Sequence, residues 1–205
     1  MIQIALDRMG KEECFKIIAQ INRYIDYIEI GTGVIKQYGM SIVQEMKKFY
    51  PEKEILADMK TCDAGKHETL QAFEAGADYT TVMGFSADKT IIDSLQVAEE
   101  HRKHIVVDLL GITSKDRILE LKEIGVKAVS MHIGKDMQGE TSLDYLEDYL
   151  DVLEGFTIFV AGGIDPECVQ YFSKINPNVY IIGSYITGSK YPEQAAKNMQ
   201  EVIGK

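Results

Sequence analysis

Eight short apolar runs recur about every 25 residues with helical patterns between them, and they predict a single closed (β/α)8 barrel over residues 1–205. Three observations carry that reading. The runs are almost continuously apolar, as strands buried on both faces are. Glycines stand where several helices should stop. The count of eight also closes a ring naturally. A doubly wound open sheet is the competing architecture, and it fits less well because no GxGxxG follows the first run.

The expected strands are IQIAL (2–6), DYIEI (26–30), EILADM (54–59), ADYTTVM (77–83), HIVVDLL (104–110), KAVSMHI (127–133), FTIFVA (156–161) and VYIIG (179–183). Helical spacing links them. Ile118, Leu121 and Ile124 make one apolar stripe; Leu143, Leu146, Leu150 and Leu153 make another, with acids on the opposite face. Ser41 with Gln44 reads as a capping box, and Asp165 before Pro166 as a helix start. Gly76, Gly125 and Gly155 fall at helix ends just before the next strand. Met40, Met46 and Met199 read as helical core filler.

Composition narrows the function classes. With 45% apolar and 26% charged residues, the chain can build one sizeable core. A net charge of -10 argues against nucleic acid as a partner, so an anionic substrate must be held by local features. Cys14, Cys62 and Cys168 follow no CxxC spacing, which points to a reducing cytoplasm. The start lacks the pattern of a signal peptide and no segment suits a bilayer, so a soluble cytoplasmic protein is expected.

Active sites of this architecture lie at the C-terminal strand ends. Those ends read Asp7, Glu29, Asp58 with Lys60, Thr81, Asp108, His132, and the pairs Gly162–Gly163 and Gly183–Ser184. Four of the first six thus finish on an acid, which a purely structural ring would not favour. Asp58 and Lys60, two apart in the segment ADMKTCDAG, should face the same way. Glu29 and Asp58 on neighbouring strands suit Mg²⁺, which takes oxygen ligands and keeps several from water or substrate. An ion pair of Glu29 with Lys60 and no metal is the competing reading. His132 is a candidate acid/base, since imidazole exchanges protons near neutral pH. Lys135 is the loop charge best placed to touch substrate, with Asp136 beside it. The two glycine loops after strands seven and eight suit a phosphate group. His67, His101 and His104 are not expected in the site, and Cys62 reads as a packed thiol.

These residues resemble the orotidine-monophosphate decarboxylase superfamily, whose Asp-x-Lys-x-x-Asp stands here as DMKTCD. Within it the chain is most similar to the 3-hexulose-6-phosphate synthase family. The likeness runs in order through ALD, EIGTGVIKQYG, DMKTCDAG, VVDLLG, HIGKDMQG, VAGGI and IIGSYITGSKYPEQAA. It implies a Mg²⁺-dependent, reversible condensation of formaldehyde with D-ribulose 5-phosphate, a phosphorylated ketose. It implies Glu29 and Asp58 as metal ligands, Lys60 beside the enediolate oxygens, and His132 as acid/base at C1. Gly163, Gly183 and Ser184 would hold phosphate, and a homodimer would carry Asp63 into the partner's site. The neighbouring 3-keto-L-gulonate-6-phosphate decarboxylase family usually shows Glu, Arg and Arg where this chain has Asp108, Lys135 and Ser184. Asp108 and Ser184 favour the synthase, whereas Lys135 departs from both families. A non-catalytic barrel that binds a sugar phosphate is the alternative of another class.

Overall fold

The computed structural model describes residues 1–133 and 149–204. Its strands are β1 (Ile2–Leu6), β2 (Tyr27–Ile30), β3 (Glu54–Thr61), β4 (Tyr79–Met83), β5 (His104–Asp108), β6 (Ala128–His132), β7 (Thr157–Ala161) and β8 (Val179–Ile182). They pair in parallel and in sequence order, and β8 returns to β1 through Ile2↔Tyr180, Gln3↔Ile181 and Ile4↔Ile182. The (β/α)8 barrel is therefore closed. Each expected strand is present, with no end displaced by more than two residues.

The helices are α1 (Lys11–Ile21), α2 (Thr32–Tyr38), α3 (Ser41–Phe49), α4 (Gly65–Glu74), α5 (Asp88–His101), α6 (Lys115–Glu123), α7 (Leu150–Leu153), α8 (Val169–Phe172), α9 (Ser184–Thr187) and α10 (Pro192–Ile203). Strand alternation divides the core in two. Outward residues such as Ile4, Leu6, Ile28, Ile30 and Ile55 pack against Ile18, Ile21, Met46 and Met199 of the helices. Inward residues Tyr27, Leu56, Val106, Ala128, Phe159 and Val179, with Tyr79, form a second cluster. Tyr27 meets Tyr79 and Phe159 edge-on, at 5.4 and 6.1 Å between centroids. Several of these residues open their strands, so the cluster plugs the N-terminal end and leaves the barrel hollow only at the other.

Local expectations fared unevenly. Gly76, Gly125 and Gly155 end α4, α6 and α7 with positive φ. Ser41 does not cap α3: it is the first helical residue, and its hydroxyl donates to Tyr38 O at 2.9 Å. Only Gly39 and Met40 separate α2 from α3, so that carbonyl lies within reach. Asp165 does organise a turn, accepting from Glu167 N and Cys168 N, but the helix proper begins at Val169. Met46 and Met199 are fully buried, while Met40 is half-buried against the core. Leu143 and Leu146 lie outside the described residues. No helix among the described residues is long and apolar enough to cross a membrane.

Candidate active site

A cavity of about 780 Å³ opens at the C-terminal ends of the strands. Asp7, Glu29, Asp58, Lys60, Asp108, His132, Gly162, Gly163, Gly183 and Ser184 all line it, so one space gathers most of the residues picked out at the strand ends. Lys135 and Asp136 lie outside the described residues. Asp63 is exposed in the turn between β3 and α4 and does not line this cavity.

The sequence segment DMKTCD creates its geometry through a break in regular structure. Between Ala57 and Thr61 the pairing of β3 with β4 shifts register, and Lys60 takes φ +48°, a left-handed conformation unusual for a residue with a side chain. Its amide donates to Thr81 Oγ1 at 2.9 Å instead of joining a regular ladder. Asp58 and Lys60 do converge, with Lys60 Nζ 3.3 Å from Asp58 Oδ1. The expected Cys62 packing does not hold. The turn leaving the bulged strand exposes Cys62, whose thiol donates to Lys60 O at 3.3 Å.

Asp108 ties the catalytic candidates together. Its Oδ2 accepts from Lys60 Nζ at 2.6 Å and from His132 Nδ1 at 3.0 Å, while Oδ1 accepts from Leu110 N. Burial alone would raise this carboxyl, but His132 and Lys60 hold it down at about 2. As an ionised acceptor, Asp108 puts the imidazole proton on Nδ1 and leaves Nε2 for the cavity. Burial works against the Lys60 charge, yet Asp58 and Asp108 outweigh it and raise its pKa, so Lys60 stays an ammonium. Lys60 is thus an electrostatic group, and His132 is the group able to move a proton.

Glu29 makes no ion pair with Lys60 among the described residues, though the nearby Lys60 charge acts to lower its pKa. Its carboxylate accepts from Gln3 Nε2 at 2.5 Å, while burial and the nearby Asp58 charge push it up to about 8. Asp58 is firmly held: Thr32 Oγ1 donates to Oδ2 at 2.7 Å and Thr81 Oγ1 to Oδ1 at 2.8 Å. Among the described residues no three His, Cys, Asp or Glu side chains gather as a full metal cage. Two hard carboxylates facing open space fit a cation that draws its other ligands from water or substrate, as Mg²⁺ does.

The far wall suits an anion. Gly162 has φ +111°, and a Cβ there would lie 2.5 Å from Ile133 O, so no other residue lets β7 turn so tightly. Gly183 and Ser184 begin the turn into α9 on the neighbouring strand. Asp7 Oδ1 accepts from Gly33 N at 3.2 Å, and its other oxygen pairs with Arg8 Nε at 3.2 Å.

Comparison with known proteins places this site in a family. The profile described as Orotidine 5'-phosphate decarboxylase / HUMPS family matches residues 1–199. The chain belongs to that family. It is 37% identical to the 3-hexulose-6-phosphate synthase of Mycobacterium gastri, over 98% of this chain and 99% of the relative. The solved structure of 3-hexulose-6-phosphate synthase from Salmonella typhimurium superposes with a TM-score of 0.95 at 34% identity, covering 98% of this chain and 97% of that one. A 3-keto-L-gulonate-6-phosphate decarboxylase from Vibrio cholerae gives 0.88 at 29%, over 100% and 97%. These OMPdecase relatives are enzymes by name, and the barrel alone does not separate their reactions.

Within this family site, sequence reading missed Gln3, Arg8, Thr32 and Lys36, all of which line the cavity. Gln3 could have been found as a polar residue at an inward position of an otherwise apolar strand. Arg8 and Lys36 carry no such signal, because an exposed cation in a loop or on a helix is ordinary.

Proposed function

We propose that this enzyme catalyses the aldol addition of formaldehyde to D-ribulose 5-phosphate, giving 3-hexulose 6-phosphate, and the reverse cleavage. The observation that carries the reading is the Lys60–Asp108–His132 linkage, which sets a fixed positive charge beside a proton-transfer group. The relatives named 3-hexulose-6-phosphate synthase support the choice of substrate.

The substrate phosphate docks at Gly162, Gly163, Gly183 and Ser184, with Arg8 and Lys36 at the rim of the same cavity. Its ketone end then reaches Lys60. His132 Nε2 removes a proton from C1, and the C–H electron pair moves into the C1–C2 bond as the C2 oxygen becomes negative. Lys60 stabilises that enediolate without giving up its proton. C1 then attacks formaldehyde, a carbon–carbon bond forms, and the new alkoxide takes the proton back from His132. Glu29 and Asp58 would hold Mg²⁺, which when bound supplies further stabilisation of negative oxygen. Asp108 keeps both partners oriented throughout.

We also take the enzyme to be a homodimer working in the cytoplasm, with Asp63 serving the partner's site. The free thiols Cys14, Cys62 and Cys168 agree with a reducing compartment. A second reading, decarboxylation of 3-keto-L-gulonate 6-phosphate, would use the same enediolate and has support in the Vibrio cholerae structure. One experiment separates them. Purified protein given ribulose 5-phosphate, formaldehyde and Mg²⁺ should consume formaldehyde, and EDTA should stop it. Faster CO₂ release from 3-keto-L-gulonate 6-phosphate would favour the decarboxylase. Sugar-phosphate binding with neither activity would leave a binding barrel.

A further inference from the structure

Gln3 occupies a position that packing alone does not call for. It is fully buried in β1, facing inward, and shares the cavity wall with Leu56, Val106 and Ile181. A leucine there would leave no polar atom to satisfy. Gln3 instead donates from Nε2 to Glu29 Oε2 at 2.5 Å, and its carbonyl Oε1 has no hydrogen-bond partner among the described residues. A buried polar group left unpaired is costly, so a glutamine at this spot calls for a task at one of its two ends.

We propose that Gln3 is a positioning residue for the cation site: its amide takes one oxygen of Glu29 and so presents the other, with Asp58, to a hard divalent cation. The inference rests on reading Glu29 and Asp58 as the metal ligands. The two carboxylates are anchored very differently. Asp58 is held by the hydroxyls of Thr32 and Thr81 and by Lys60. Glu29 has the Gln3 amide as its one side-chain hydrogen bond among the described residues. Gln3 is itself well fixed, in backbone register with Tyr27 of β2 on one side and Ile181 of β8 on the other. Removing the amide frees Glu29 to rotate and leaves Asp58 as the one fixed ligand of the pair.

The test measures metal binding without turnover. Mn²⁺, a hard divalent cation with an EPR signal, is titrated into the native chain and into Gln3→Leu, Gln3→Met and Glu29→Gln. Glu29→Gln should lose the tight site. Gln3→Leu should bind roughly tenfold more weakly, the scale on which partners of metal ligands act, while circular dichroism stays native. If Gln3→Leu fails to fold, Gln3→Met keeps the side-chain length without the amide and gives the same reading. A folded Gln3 variant whose Kd lies within about fivefold of native overturns the proposal. Native-like binding by Glu29→Gln would instead overturn the metal reading, and the proposal with it.

Discussion

Glu29 holds its proton to about pH 8 in the metal-free protein, against an ordinary value of 4.5, because it is buried beside Asp58. An unfolded chain releases that proton near 4.5, so between the two values the folded state binds more protons and stability falls as pH rises. The contribution is fully present below 4.5 and lost as pH passes 8. Urea unfolding of EDTA-treated protein at pH 6 and pH 8 should therefore show a larger loss for the native chain than for Glu29→Gln. Equal losses would mean Glu29 is already ionised at pH 6. The other deep groups act as charges. Asp58→Asn removes a carboxylate that faces both the cavity and Lys60, and Lys60→Ala removes the ammonium held by Asp58 and Asp108. Each should lower kcat/KM by at least roughly a hundredfold, the scale for one preorganised electrostatic group. Near-native rates in either variant would show that the reaction occurs elsewhere.

At the scale of elements, close approach of backbones sets what the helices tolerate. Gly65 opens α4, and a Cβ there would lie 2.2 Å from Thr90 O and 2.6 Å from Ser94 Oγ of α5. Gly65→Ala must push the two helices apart and should cost about 1–3 kcal/mol, seen as a Tm lower by several degrees. Gly10→Ala, with nothing within 4 Å of the added carbon, should leave Tm unchanged and serves as the control. A native Tm for Gly65→Ala would show that α4 has room to move. The strands were legible in sequence because both of their faces are buried, which leaves long apolar runs such as Ile55–Leu56–Ala57. Period-two alternation also placed Asp58 beside Lys60, yet it could not reveal the left-handed φ of Lys60 or the register shift that surrounds it. Ser41 illustrates a different limit. A capping box depends on where the preceding helix ends, and α2 ends close enough to take the serine hydroxyl for itself. Cys62 was misread for a related reason, since the chain that leaves the bulged strand after the buried Thr61 turns Cys62 out.

For the whole molecule, Asp63 is exposed and does not line the strand-end cavity of its own barrel. The turn after β4 lies against the DMKTCD segment, with Ser86 Oγ donating to Thr61 O at 3.3 Å. Arg117 of α6 clamps that turn by donating to Gly84 O and Ser86 O, both at 2.9 Å. Phe85 between them is thereby held out in solvent, 57% exposed, on the same rim as Asp63. An exposed aromatic and an exposed carboxylate on that rim suit a contact with a second copy of the chain. The expected mass by light scattering is twice the 23.0 kDa of one chain. Complementation then tests whether the sites are shared. Asp63→Ala and Lys60→Ala are each expected to be poorly active alone. If Asp63 serves the partner's cavity, a mixed dimer of the two restores one intact site, with native Lys60 from one chain and native Asp63 from the other. Random mixing at equal amounts makes half of the dimers mixed, so activity should recover to about a quarter of native. If Asp63 works in its own chain, every site carries one defect and mixing restores nothing. A monomeric mass, or full activity of Asp63→Ala by itself, would remove the shared site from the proposed mechanism and leave each barrel complete with its own strand-end residues.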